Sequence, residues 1–317
     1  MAIRAIGNEV PRMELGVALE EYPMGLEGFI ADDVLPVRLV KDKEASFNVI
    51  TRESILRRVN VRRSVGGAYG RTGFDTDIVS YRCEEFGLEG ALPDETIRFY
   101  DSVFDAEMVV AGGVKGDLAR EREIRVAAAI FDTAVFTGAP LFTEIGTDWD
   151  QAAATIVVDI DAAKEKVRLN CGLLPNVMVI GAGVVPWLKF NTDLKARLQY
   201  TQALVDNAIT GQLASLFGIS KVLIGGQITN SASEGETYAS SDIWSSMYCW
   251  IGRVPATQSM AEPGIGRTML WEGDSPSIYT VEEYRENQTR KTVYRVRHHL
   301  QEKIIDPLYG HLLKIDT

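Results

Sequence analysis

The chain has 317 residues, of which 46% are hydrophobic and 24% charged, globular values that exclude a disordered, collagenous or coiled-coil polymer. The length is that of two domains or one elaborate one. Asp and Glu outnumber Lys and Arg by 44 to 33, a formal charge of -11, so counterion release cannot give a general affinity for duplex DNA.

The N-terminal segment lacks the sustained apolar core of a signal peptide. The first distinctive feature is basic: Arg52, Arg57, Arg58, Arg62, Arg63 and Arg71 fall in one stretch with Glu53 as its only acid. Gly66, Gly67 and Gly70 within it mark a loop tip. Residues 47–50 and 55–59 before the tip and 77–86 after it are β-prone. The pattern predicts a long, basic, two-stranded excursion. Such a hairpin is marginal alone in water and needs a second surface.

Residues 101–136 carry an apolar pattern at helical spacing, with Arg120, Glu121, Arg122, Glu123 and Arg125 as a charged patch. Gly112, Gly113 and Gly116 lie inside it, each costing roughly 0.5–1 kcal/mol relative to Ala in a helix. Two readings follow: two helices joined at the glycines, or one long helix with a soft centre.

From Ala152 the pattern alternates. Helices are predicted over 161–170, 186–188, 194–200 and 210–217, and strands over 176–180, 221–224, 247–251 and 268–271. This is an α/β unit. Residues 277–284 and 292–298 then read as β-branched, charged strands, and 312–315 as a closing one. The longest apolar run, 177–188, is too short to span a bilayer and contains Pro186. Cys83, Cys171 and Cys249 are odd in number and far apart, which argues against a disulfide framework and fits a reducing compartment.

The motifs that carry chemistry are weak. After a strand, Gly181 and Gly183 invite a dinucleotide reading, but Pro186 stands where the fingerprint needs its third glycine, so a strand-to-helix turn is the better account. Asp159 and Asp161 sit where a helix begins, as ordinary capping or first-turn acids. His298 and His299 point to opposite faces of a strand and cannot share a metal. No nucleophile elbow or phosphate-binding loop occurs, so no catalytic, cofactor-binding or metal residue is assigned. The arginine run could meet nucleic acid, but Tyr69 is its only aromatic, too few for a stacking groove. The alternative is an acidic neighbour, and a copy of this chain is one.

Four segments in order carry a family resemblance: Phe29-Ile-Ala-Asp-Asp-Val-Leu-Pro-Val37; Glu89-Gly-Ala-Leu-Pro-Asp-Glu95 leading to Arg120-Glu-Arg-Glu-Ile-Arg-Val-Ala127; Gly172-Leu-Leu-Pro-Asn-Val-Met-Val-Ile-Gly181; and Gln199-Tyr200 with Leu216-Phe-Gly-Ile-Ser-Lys-Val-Leu-Ile-Gly-Gly226. The chain resembles the major capsid protein of tailed bacteriophages, with the α+β Hong Kong 97-like fold, over nearly its whole length. The resemblance implies an N-terminal arm over 1–32 and an extended loop over 33–98 that lies across a neighbouring subunit. It also implies a peripheral domain over 99–150 with a long spine helix, completed by 277–317, and an axial α/β domain over 151–276.

By the same resemblance the function expected is structural, without enzymatic activity: a virion protein, assembled in the host bacterial cytoplasm into pentamers and hexamers of an icosahedral head that encloses double-stranded DNA. The partners expected are further copies of the chain, a portal protein, a decoration protein and a scaffolding protein. Family-like sequence begins near Phe29, so the scaffolding protein is expected to be separate. Some members crosslink through a loop lysine. Here the only lysines of the loop, Lys41 and Lys43, sit near its base, so a non-covalent shell is expected. Arg57, Arg58, Arg62, Arg63 and Arg71 are the expected inter-subunit contacts, and Gly112 and Gly113 the expected bend of the spine. An encapsulin-type cargo shell and an α/β enzyme are the alternatives.

Overall fold

A six-stranded and a five-stranded sheet organise the chain in the computed structural model, which describes residues 10–11, 28–59, 61–100, 106–198, 209–233, 235–259 and 262–316. In chain order these residues form β1 (Val10–Pro11), α1 (Ala31–Val34), β2 (Val37–Val40), β3 (Glu44–Ile50), α2 (Arg52–Ile55), β4 (Thr76–Arg82), β5 (Glu84–Pro93), α3 (Asp94–Tyr100) and α4 (Ala106–Ile130). The second half continues with β6 (Phe142–Glu144), α5 (Ile156–Cys171), β7 (Val177–Gly181), α6 (Val184–Phe190), α7 (Thr192–Leu198), α8 (Ile209–Phe217), β8 (Lys221–Gly225), β9 (Ile228–Asn230) and β10 (Ser240–Asp242). It closes with β11 (Tyr248–Gly252), β12 (Gly266–Trp271), β13 (Thr280–Glu286), β14 (Lys291–Ile304) and β15 (Gly310–Lys314).

The five-stranded sheet runs β6-β15-β11-β7-β8. Its inner strand β7, Val-Met-Val-Ile-Gly, is buried throughout, which is why it reads as an unbroken apolar run. Side chains alternate between its faces. Met178 and Ile180 meet α5 and α8 in one core, while Val177 and Val179 meet the end of α4, Trp244 and Trp250 in another. α5 ends where Gly172 takes φ +76, a conformation that glycine adopts without strain.

The six-stranded sheet is built on β14. β5 pairs along it from Lys291↔Pro93 to Leu300↔Glu84, and β13 and β12 pair with successive parts of it. The long helix α4 lies against β5 and β14, closing a third core through Leu92, Leu118, Val281, Tyr294 and Val296. α4 is unbroken from Ala106 to Ile130, with Gly112, Gly113 and Gly116 inside it. Of the two readings, the single helix stands, and it stops short of Phe136.

Several sequence expectations are corrected. Residues 55–59 form no strand. A helical turn and coil take their place, because charged Arg57 and Arg58 interrupt an apolar run too short to find a ladder partner. β5, expected within the extended loop, belongs to the six-stranded sheet, so the projecting part shrinks to β3, β4 and what joins them. β15, expected with the peripheral strands, pairs β11 and β6. β12, expected in the axial unit, pairs β14. Both departures arise because ladder partners are chosen by buried faces rather than by nearness in sequence. Nearly all of the expected arm, residues 101–105 of the expected helix, and the Gln199-Tyr200 motif lie outside the described residues.

Candidate assembly surfaces

β3 and β4 form a two-stranded ladder from Glu44↔Arg82 to Ile50↔Thr76, separate from the larger sheets. The alternation of β3, half-covered at Ala45, Phe47 and Val49 and exposed between them, turns one face toward the body. At its root Phe47 and Ala45 pack against a small cluster of Val40, Tyr81, Cys83 and Met269. Lys43 lies 5.5 Å above the Trp271 ring, and the Lys41 carbonyl accepts from Trp271 Nε1 at 3.0 Å. Both lysines thus sit at the base of the hairpin, as expected.

Beyond Ile50 the chain passes over the end of α5. Arg52 donates to the Asn170 carbonyl at 3.0 Å, where the carbonyls at a helix C-terminus favour a cation, and Leu56 comes against Gly172. The tip follows. The described residues from Leu56 to Ile78 are exposed, Gly67 alone being partly covered. Arg57, Arg58, Arg62, Arg63 and Arg71 all lie here, and the Arg63 guanidinium stacks 4.3 Å from the Tyr69 ring. Among them stand Val61 at 92% exposure, Tyr69 at 76% and Phe74 at 73%. Large apolar and cationic side chains are thus exposed together along the tip.

The charged patch of α4 is a second centre, and here sequence reasoning missed the point: Arg122 and Glu123 are buried. Glu123 accepts hydrogen bonds from the backbone N–H groups of Ile30 and Ala31 at 2.9 and 3.0 Å and from Trp244 Nε1 at 2.6 Å. One carboxylate thereby ties α1, the long helix and the loop before β11. Burial pushes its pKa up against the pull of these donors. Arg122 pairs with Asp32 at 2.8 Å, and Arg125 pairs with Glu302 at 3.0 Å while stacking 3.9 Å from the Phe86 ring. Trp244, a lone tryptophan after a polar stretch, was the available signal. Its ring occupies the space a Cβ at Gly225 would need.

Polar residue types familiar from catalytic sites meet at one place. His299 Nδ1 lies 3.1 Å from Asp274 Oδ2 and 3.4 Å from Ser275 Oγ. A second carboxylate, Glu85 Oε2, lies 3.4 Å from the opposite ring nitrogen, Nε2. Ser275 is fully buried. Nearby Arg297 bridges Glu282 at 2.6 Å and Asp274, and these carboxylates raise its pKa. Its role is to hold β13 and β14 together. Asp159 accepts from Trp149 Nε1 at 3.0 Å, and Asp161 pairs with Lys164. The helix begins at Ile156, earlier than expected, so Asp159 is a first-turn acid while Asp161 falls in the second turn. Among the described residues the carboxylates of Asp148, Asp150 and Asp316 lie within 4.8 Å of one another. The three thiols are free, and burial raises Cys83 to about 11.

No protein-family model matches the sequence, and no curated protein does. Solved structures do match. A phage-related protein from Bordetella bronchiseptica RB50 superposes with a TM-score of 0.72 at 22% identity, over 97% of this chain and 98% of that one. The capsid of the cyanophage P-SCSP1u gives 0.56 at 12% identity, over 99% and 90%. The fold is the Hong Kong 97-like capsid fold. The holo-encapsulin complex of Synechococcus elongatus PCC 7942 shares it, with a TM-score of 0.52 at 9% identity over 99% of this chain and 96% of that one. Among the described residues no helix is long and apolar enough to cross a membrane.

Proposed function

We propose that this chain is the major capsid protein of a tailed phage, assembling through pentamers and hexamers into an icosahedral head that encloses double-stranded DNA. The observation that carries the reading is the hairpin. On a chain with the capsid fold, it leaves large apolar and cationic side chains exposed together among the described residues. Burying a large apolar side chain is worth roughly 1.5–3 kcal/mol, and a neighbouring subunit recovers that at every tip. The five tip arginines are the inter-subunit contacts, and charge complementarity with an acidic neighbour sets register.

In these terms the N-terminal arm, the extended loop, the peripheral domain on the six-stranded sheet and the axial domain on the five-stranded sheet divide the labour of one shell subunit. Scaffolding, portal and decoration proteins are the other partners, and assembly takes place in the host cytoplasm. A surplus of eleven negative charges suits a container that must release its polyanion. The shell is non-covalent, because guanidinium at the tip does not serve lysine crosslinking chemistry. Heated denaturing gels of particles should show monomer alone.

An encapsulin-type cargo shell is the second reading, and the likeness to the Synechococcus complex favours it to that extent. The higher score against the phage-related protein favours the first. Electron microscopy of the expressed protein, with its gene neighbours identified, separates the readings. Icosahedral particles beside terminase and portal genes support the phage head. Particles beside a ferritin- or peroxidase-like gene support the cargo shell, and a small oligomer overturns both.

A further inference from the structure

We propose that Arg52 and Leu56 form a latch that holds the far end of the β3–β4 hairpin down on its own subunit, and that the hairpin lifts as one lever about its root when the latch lets go. The inference concerns the subunit alone, so it can fail while the shell reading stands, and the reverse.

The hairpin meets the body at two ends, with a gap between them. At the root the hold is dense. Trp271 Nε1 donates to the Lys41 carbonyl at 3.0 Å, and the Arg82 amide donates to Gln301 Oε1 at 2.8 Å. Cys83, fully buried, seats among Val40, Tyr81 and Met269. These body partners lie on β12 and β14, in the six-stranded sheet. Midway, a groove of about 410 Å³ lies between Phe47, Val49 and Ile50 on the hairpin and Pro263, Ile305 and Tyr309 on the body. The far end rests on α5, which packs on the five-stranded sheet. There Arg52 donates to the Asn170 carbonyl at 3.0 Å and Leu56 comes against Gly172.

The far end is built to move with the strands. The Thr51 amide donates to the Asp75 carbonyl at 3.1 Å, and the Asp75 amide to Ser54 Oγ at 3.1 Å, so α2 is tied to the approach to β4. The contact with α5 is therefore the joint that gives. It consists of one bond from a side chain 34% exposed and one leucine 53% exposed. A cation at a helix C-terminus contributes modestly in such a setting, and salt screens it. Opening the root instead would expose Cys83 and Tyr81, both buried. Root and latch sit on different sheets, so the latch sets the direction in which the tip points, as a balance between two positions.

The test is the distance between two spin labels in the whole chain, read by pulsed electron spin resonance. T76C on the far end of β4 and A162C on α5 are exposed positions. Cys171 is replaced by Ser, and Cys83 and Cys249 are fully buried and take no label. Labelled chain is diluted in unlabelled chain, so that only distances within one subunit are read. Arg52→Ala removes a favourable charge and Arg52→Glu adds an unfavourable one. The share of a second, longer distance should rise roughly two- to fivefold in the first and roughly three- to thirtyfold in the second. Arg52→Lys should match the parent, because a carbonyl accepts from either cation. The root pair S80C and E272C, also exposed, should keep one distance throughout. An unchanged distance across the far pair in Arg52→Glu overturns the latch. Broadening of the root pair overturns the lever, since the hairpin would then be coming apart rather than lifting. Arg52→Lys lifting as far as Arg52→Glu overturns the assignment of the hold to charge.

Discussion

Replacing Glu123 by Ala should cost the subunit far more than a surface charge would. Three buried donors converge on this carboxylate, the Ile30 and Ala31 amides and Trp244 Nε1. Stranding a buried donor costs about 1–3 kcal/mol, and relief from burying the carboxylate itself offsets part of the sum. A net loss of about 3–6 kcal/mol follows, a large share of the ~5–15 kcal/mol that a folded domain commands. Trp244→Phe removes one donor and should cost about 1–2 kcal/mol. Denaturant unfolding of the subunit followed by fluorescence measures both, and the double variant should fall short of the sum because the two residues share one bond. A loss below about 1 kcal/mol for Glu123→Ala, or strict additivity, would refute the claim that this carboxylate ties three elements.

The other expectations concern assembly, the helix and acid. Reversing Arg62 and Arg63 to Glu should abolish particles while the subunit melts as before, since exposed substitutions typically stay within about 0.5 kcal/mol. Sedimentation and a melting curve check the two halves separately. Gly113→Ala places its new methyl in open space and should stabilise the unexpanded subunit by roughly 0.5–1 kcal/mol. Replacing Gly112 and Gly113 together should impede shell expansion, read as particle diameter, more than initial assembly. His298 is buried, its ring between Phe86 and Tyr279, and burial lowers its pKa from 6.5 to about 3. The unfolded chain then binds the extra proton, so stability should fall as pH drops from about 6.5 toward 3. His298→Phe should flatten that slope in urea titrations across the range.

The parts legible in the sequence are those whose signal is local. β7, β8 and β11 betray themselves as short apolar runs because both their faces are covered. β4 shows only part of the alternation because most of it is exposed. The pairing of β5 with β14 was not legible: partners lie some two hundred positions apart, and Gly87, Gly90 and three glutamates dilute the strand signal. Burial of Arg122 and Glu123 was hidden for a related reason. Charge on a helix reads as solvated unless the partners that satisfy it are known, and those are Asp32, Trp244 and two amides from elsewhere in the chain. At the candidate site the arginines were visible as composition.

The order of strands bears on how the subunit is made. β15 lies inside the five-stranded sheet and β14 at the heart of the other, and each follows in sequence every other strand of the sheet it joins. Neither sheet can close until these strands have been synthesised, and at ~5–20 residues per second the earlier strands wait many seconds for them. A chain interrupted before Lys291 would lack an inner strand of both sheets and leave their other strands without ladder partners. Truncation is thereby converted into failure to fold, which proteolysis can recognise.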